Sequence, residues 1–96
     1  MDKINPIIHQ PIRLQILTIA HMDKNISFST LKKELWVSDW NLGTHLEKLE
    51  KHWYIKISKS FVNKKPLSTI SINTLWEKEL LQYMESIENI FSWIKK

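Results

Sequence analysis

The residues between Ser38 and Lys51 bring hydrogen-bonding and cationic side chains to one side of a predicted helix. Hydroxyl, amide and imidazole groups can bond the edges of nucleic-acid bases, and ammonium groups can neutralise phosphates. The small polar groups come early in this segment and the cations come late. These side chains are Ser38, Asn41, Thr44, His45, Lys48 and Lys51. The pattern therefore predicts a surface whose chemistry suits a nucleic acid.

The remaining polar residues do not form a recognisable metal-binding or catalytic motif. The four histidines, His9, His21, His45 and His52, lack the close spacing that holds one ion, and the chain has no cysteine. No glycine-rich phosphate loop, nucleophile motif or isolated carboxylate pair stands out. We therefore expect no metal, no cofactor and no enzymatic activity, and we interpret the histidines as surface or capping residues.

The charge is unevenly placed along the chain. The net charge is +4 overall, but residues 24–65 contain nine lysines against four acids, whereas residues 74–93 contain one lysine against four glutamates. A basic middle followed by an acidic end indicates one surface for a polyanion and another for a different partner.

The length of 96 residues predicts one compact domain with a small core, which self-association would stabilise. No apolar run is long enough to span a bilayer, and the first residues lack the pattern of a secretory signal. We therefore expect a cytoplasmic protein with no membrane partner.

Two short helices joined by a tight connection form a predicted helix-turn-helix in the first half. A first helix from Pro11 to about Met22 and a brief strand at 26–28 precede it. Ser29 is the expected cap of a helix over 30–35, and Ser38 caps the next helix. That helix carries the apolar stripe Leu42, Leu46, Leu49 and Trp53.

A hairpin and a long helix follow. The period changes to two at 55–61 and again at 68–72, around a tip that carries Lys64 and Lys65. Asn73 or Thr74 is the expected cap of the last helix, and Thr74 and Glu77 have the capping-box spacing. Its apolar residues step by four and three, which predicts a dimer seam made of Leu80, Met84, Ile87, Phe91 and Ile94.

The chain resembles the small winged-helix transcriptional regulators of the MarR/ArsR-like class. The resemblance is carried by residues 9–17, 26–31, 41–49 and 63–69, in the family's order. In the wing the family more often has arginine than lysine, and a basic or polar residue in place of Leu67. The resemblance implies a mainly α fold with a small β-hairpin, a winged helix-turn-helix over 1–73 and a long C-terminal dimerisation helix over 74–96.

The resemblance also implies a homodimeric, sequence-specific regulator of double-stranded DNA, with the third helix in the major groove and the wing on the backbone or minor groove. We assign base edges to Asn41, Thr44 and His45. Trp40 is also a predicted DNA-binding residue, at the N-terminal tip of the third helix, where the backbone must come close to DNA. The phosphate contacts are Ser38, Lys48, Lys51, Lys64 and Lys65. The chain does not reveal an effector, an operator or the sign of regulation.

Other interpretations remain open. The same fold can serve as a protein-interaction module that does not bind DNA, and a small hydrolase has almost no support. Asn41 is equally suited to capping or solvent contact. Lys48 and Lys51 can pair with Glu47 or remain solvated. Arg13 is expected to bridge to an acid rather than to touch DNA.

The tryptophans form an unusual set. Relatives of this class commonly have glycine at Trp36, Trp40, Trp53 and Trp76, whereas the chain has one glycine, Gly43, and five tryptophans. One hypothesis is that the organism translates UGA as glycine, and that the UGA codons of this gene were translated as tryptophan in this sequence. The hypothesis covers Trp93 as well. The alternative is five ordinary core or surface tryptophans.

Overall fold

Four helices and three strands make up the computed structural model, which describes residues 4–94. Two helices and a brief strand precede a third helix, a hairpin follows it, and a long helix ends the described chain. In chain order the elements are α1 (Pro11–Met22), β1 (Ile26–Ser27), α2 (Phe28–Leu35), α3 (Asp39–Lys51), β2 (Ile55–Val62), β3 (Lys65–Ile72) and α4 (Thr74–Ile94). The predicted winged-helix arrangement is confirmed.

The sheet has three antiparallel strands in the order β1-β3-β2. Ile26 lies opposite Ile70, so the two-residue strand β1 ties the entrance of α2 to the hairpin. The sequence predicted a brief strand here but only a two-stranded hairpin as the sheet. Two residues are too few to show which strand they will pair with, so the third strand emerges only from the tertiary structure.

The hairpin turn contains Asn63 and Lys64. Val62 pairs with Lys65, which leaves a two-residue loop, and both loop residues have positive φ, 51° and 64°. Positive φ at both positions matches the type I′ turn, whose twist suits a right-handed ribbon. The strands therefore continue closer to the tip than the sequence predicted, with β3 beginning at Lys65 rather than Ser68.

Side-chain caps set the starts of the helices. Ser38 Oγ accepts from the Asn41 N–H at 3.1 Å, which confirms the predicted cap of α3. The prediction for α2 was wrong, because Ser27 rather than Ser29 accepts from the Thr30 N–H. Ser27 lies in an extended conformation at the end of β1, which the cap position requires, whereas Ser29 already lies in the helix.

The core lies between α1, α2, α3, the sheet and the first part of α4. Each of these elements contributes fully buried aliphatic side chains, which include Ile16, Leu17, Leu31, Leu42, Leu49, Ile70 and Leu80. The predicted α3 stripe is correct for its three leucines. Trp53 was wrongly included, because the helix ends at Lys51 and Trp53 is 69% exposed.

The start of α4 differs from the predicted capping box. The Leu75 N–H donates to Asn73 Oδ1 at 3.0 Å, so Asn73, one of the two predicted caps, supplies the cap. Glu77 instead contacts His21 in the last turn of α1 and Lys24 just beyond its end. Hydrogen bonds from Lys24 and then His21 lower the pKa of Glu77 below its ordinary value. Over residues 4–94, no helix is both long and apolar enough to cross a membrane.

Candidate nucleic-acid interface

Helix α3 presents one continuous polar face to solvent. The leucines of the opposite face are buried, and this asymmetry fixes the rotation of the helix about its axis. The exposed side chains of the helix include Trp40, Asn41, Thr44, Lys48 and Lys51, together with the acids Asp39, Glu47 and Glu50. The structure therefore brings five of the predicted contact residues to one surface.

The N-terminal end of this surface is fixed to α2. Lys32 Nζ lies 2.8 Å from Asp39 Oδ1, joining the second helix to the first turn of the third. Asp39 also stands where a carboxylate is favoured by the helix dipole. The sequence did not predict this pair, because ion pairs between neighbouring helices leave no periodic signal. Ser38 retains its hydroxyl hydrogen for another acceptor, since its oxygen serves as the cap.

Asn41 and Thr44 differ in how much bonding capacity they keep. Thr44 Oγ1 donates to the Trp40 carbonyl oxygen at 2.9 Å, so its hydroxyl hydrogen is occupied while its oxygen can still accept. Ser38 caps α3, a role that the sequence had left open for Asn41 as well. The Asn41 side chain makes no hydrogen bond to any other described residue. The Asn41 amide therefore keeps both donor and acceptor for a partner.

His45 lies at the edge of the polar face and is half-buried against α1. Arg13 Nη1 donates to His45 Nδ1 at 3.1 Å, and Arg13 Nε donates to the Ile7 carbonyl oxygen at 2.6 Å. The predicted bridge from Arg13 to an acid was wrong, because the guanidinium bonds a histidine and main-chain oxygens instead. A side chain on the first helix thus positions one on the third.

This contact defines the protonation state of His45. A guanidinium has only donors, so Nδ1 must accept, and the neutral ring then carries its hydrogen on Nε2. Burial and, second, the positive charge of Arg13 lower the pKa of His45 below its ordinary value. His45 is therefore a neutral imidazole near pH 7 with one N–H donor left.

The base of the hairpin lies beside α3. Gly43 and Glu47 of α3 line one groove together with Lys59 and Ser68 of the hairpin strands. Lys64 lies in the turn, Lys65 follows it, and both are exposed. The hairpin therefore lies next to α3, with the two predicted lysines at its tip.

The predicted phosphate-binding lysines are free of internal ion pairs with any residue in the range 4–94. The pairs found there involve Glu77 with His21 and Lys24, and Asp39 with Lys32. The possible pairing of Lys48 or Lys51 with Glu47 does not occur among these. Lys48, Lys51, Lys64 and Lys65 therefore keep their charges for an external anion.

The predicted dimer residues on α4 fall into two groups. Leu80 is 1% exposed and packs in the protein's own core, so its assignment to a dimer seam was wrong. Ile87 is partly buried against that core. The others remain exposed, Met84 at 45%, Phe91 at 57% and Ile94 at 74%. The exposed apolar stripe thus begins one turn later than predicted.

No group of three or more histidine, aspartate or glutamate side chains within residues 4–94 is arranged to hold a metal ion. His9 and His21 bond Tyr83 and Glu77 respectively. His45 bonds Arg13. These three histidines thus serve as packing and hydrogen-bonding residues in the fold.

A family model described as the winged helix DNA-binding domain matches residues 12–91, and the chain belongs to this family. The match spans α1 through most of α4, so the whole arrangement of recognition helix and wing falls within it. The chain is thus a winged-helix DNA-binding domain. A search of curated proteins found no match.

Two solved structures are similar in fold. A transcriptional regulator homologue from Pyrococcus horikoshii OT3 has a TM-score of 0.87 at 22% identity, covering 94% of this chain and 89% of that one. HlyU from Vibrio cholerae N16961 has a TM-score of 0.61 at 19% identity, covering 90% of this chain and 85% of that one. At these identities the similarity establishes the fold alone.

Proposed function

We propose that the chain is a transcriptional regulator that binds double-stranded DNA sequence-specifically as a homodimer. In this proposal α3 lies in a major groove, and the hairpin tip contacts the backbone or an adjacent minor groove. The observation that carries the proposal is the polar face of α3, whose cations have no internal partner among the described residues and which lies beside the base of the wing.

Base edges are contacted by Asn41, Thr44 and His45. The Asn41 amide can bond an adenine bidentately, since it offers a donor and an acceptor together. The His45 Nε2–H donates to an acceptor such as a guanine N7 or O6, and Thr44 Oγ1 accepts from a base amino group. These three side chains span about one turn of α3, which suits a short run of consecutive base pairs.

Phosphates are contacted by residues that surround this reading surface. Ser38 and Lys48 lie toward opposite ends of the exposed face of α3, and Lys51 ends the helix. Lys64 and Lys65 lie at the wing tip. Contacts to phosphate fix the register of the helix without reading sequence, so each lysine contributes affinity rather than specificity. Trp40 is 84% exposed at the start of α3, close to the expected path of the backbone.

A second copy of the chain is the partner for α4. Met84, Phe91 and Ile94 are exposed apolar residues on one helix, and Phe91 and Met84 also line a cleft with Leu14 of α1. A small domain with this much exposed apolar surface gains stability by pairing. Pairing of two α4 helices would set the distance between the two copies of α3, and we expect that distance to suit half-sites about 34 Å apart.

Selection of bound sequences from a random duplex pool tests this function. We expect an enriched motif of two half-sites spaced by about one helical turn. Asn41→Ala is expected to relax the preference at one base pair and lose roughly 1–3 kcal/mol there, while Lys48→Ala weakens all sequences alike. Lys78→Ala, on the acidic helix, is the matched control. Absence of any enriched sequence, with the folded protein bound to no duplex, would favour a protein-interaction module.

A further inference from the structure

Two tryptophans occupy backbone positions whose geometry favours glycine. Trp36 has φ of 55° and ψ of 44°, and Trp53 has φ of 66°. The left-handed region brings Cβ close to the following carbonyl oxygen, so a large aromatic residue is strained there and glycine is not. Both residues directly follow the end of a helix or its cap, where left-handed glycine is the usual terminator.

The hydrogen bonds around Trp53 form a complete Schellman motif. The Tyr54 N–H donates to the Leu49 carbonyl oxygen, and the Trp53 N–H donates to the Glu50 carbonyl oxygen, each at 3.0 Å. Tyr54 and Leu49 are both buried, as the accompanying apolar contact requires. Every feature of the motif is present except the glycine that normally holds its left-handed position.

Trp36 ends α2 in the simpler left-handed cap. Its N–H donates to the Lys32 carbonyl oxygen at 3.1 Å, which is the single hydrogen bond of that motif. Its side chain is 94% exposed. The indole therefore gains almost no burial to offset the strain of its backbone.

The other three tryptophans also contribute little to the core. Trp40 is 84% exposed, Trp93 is 72% exposed, and Trp76 is 36% exposed with its ring 5.8 Å from that of Tyr54. No indole N–H of the five donates a hydrogen bond to any residue in the described chain. Tryptophan is normally a largely buried residue with a bonded N–H when it is buried, so five on the outside of one small domain contradict its usual role.

The composition shows a matching deficit. A 96-residue chain of average composition has about seven glycines, whereas this chain has one glycine and five tryptophans. Its basic residues are thirteen lysines and a single arginine, and isoleucine and asparagine are frequent, as AT-rich codons produce. An AT-rich gene favours UGA over UGG, and UGA is translated differently in different genetic codes.

We propose that the native protein has glycine at all five tryptophan positions, because its gene uses UGA as a glycine codon. The positions are Trp36, Trp40, Trp53, Trp76 and Trp93. Glycine at 36 and 53 removes the strain at both helix ends. Glycine at 40 leaves the tip of α3 without a bulky side chain, so the helix can approach a DNA backbone more closely. The proposal stands independently of the DNA-binding function.

Peptide sequencing by mass spectrometry on the protein from its source organism tests the proposal directly. Trypsin yields residues 34–48, which contain two of the positions together with Gly43 as an internal reference, and separate peptides cover the other three. We expect glycine at all five positions and UGA at the corresponding codons. Tryptophan at any of the five, or UGG in the gene, would overturn the proposal.

A recombinant comparison tests the conformational reason with the tryptophan-containing chain as the reference. Trp36→Gly and Trp53→Gly should each raise the ratio of folded to unfolded protein roughly three- to fivefold, the net of relieved strain and greater unfolded-state freedom. Trp40→Gly is the matched control, since position 40 is an ordinary helical residue and should show no gain. Loss of stability at 36 and 53, or an equal gain at 40, would contradict the conformational argument.

Discussion

Arg13 on α1 donates a hydrogen bond to His45 on α3 over 3.1 Å, and so joins the first helix to the edge of the recognition surface. The guanidinium also donates through Nε to the main-chain oxygen of Ile7 at 2.6 Å. Because Nδ1 of the imidazole accepts from Arg13, the neutral ring carries its hydrogen on Nε2. The tautomer of this side chain thus depends on a residue far away in the sequence.

The first prediction concerns the pH dependence of stability. The pKa of His45 is lower in the folded protein than in the unfolded chain, so the unfolded chain binds more protons between the two values. The free energy of unfolding should therefore hold its full His45 contribution above about pH 6.5 and lose it as the pH falls through the folded pKa. Chemical denaturation from pH 5 to 8 measures this slope.

The control for that measurement is His45→Gln, whose side-chain oxygen can still accept from Arg13 but does not titrate. The difference between wild type and His45→Gln isolates the imidazole from the other histidines. A difference that stays constant from pH 5 to 8 would show that His45 does not titrate as proposed.

The second prediction concerns the cap of α3. Ser38→Ala removes the oxygen that accepts from the Asn41 N–H, and we expect a loss of about 1 kcal/mol in the free energy of unfolding. Ser60→Ala, at an exposed position on β2, is the matched control and should change stability by less than about 0.5 kcal/mol. Equal effects of the two substitutions would argue against the cap.

The third prediction concerns self-association. Phe91→Glu places a charge in the exposed apolar stripe of α4 and should shift a dimer to monomer in sedimentation velocity, with the helical content unchanged. Glu85→Gln, also exposed on α4, is the control and should leave the dimer intact. A wild-type chain that sediments as a monomer at high micromolar concentration would refute the dimer.

Local signals predicted most of the fold. Spacing over a few residues was enough to predict three features. These are the leucine face of α3, its cap at Ser38 and the change to strand period beyond Tyr54. The pairing of β1 with β3 brings together segments that are distant in the sequence. The cap of α2 was misplaced because Ser27, which supplies it, lies at the end of that paired strand. Leu80 was misassigned for the same kind of reason, since one period cannot say which part of a long helix faces its own core.

The sequence predicted the residues of the candidate site but not the contacts between helices that position them. Exposed lysines and the Asn41 amide follow from helical spacing alone. The Arg13–His45 and Lys32–Asp39 contacts join different helices, and no spacing in the sequence encodes them. The strain at Trp36 and Trp53 is visible only in the backbone angles. The sequence alone showed that the chain has unusually many tryptophans for its single glycine.

The salt dependence of duplex binding tests the central claim, that α3 and the wing tip meet DNA together. The logarithm of the binding constant should fall linearly with that of salt concentration, by about 0.9 for each phosphate contacted. Lys48→Ala and Lys64→Ala should each reduce the slope by about 1, and Lys78→Ala should leave it unchanged.

The measurement should be made on the tryptophan-containing chain and on a variant with glycine at all five tryptophan positions. Binding by the glycine variant alone would show that Trp40 blocks the approach to DNA, whereas no binding by either chain would show that the site is absent. A flat salt dependence in both chains, or a slope unaffected by Lys48 and Lys64, would contradict the claim.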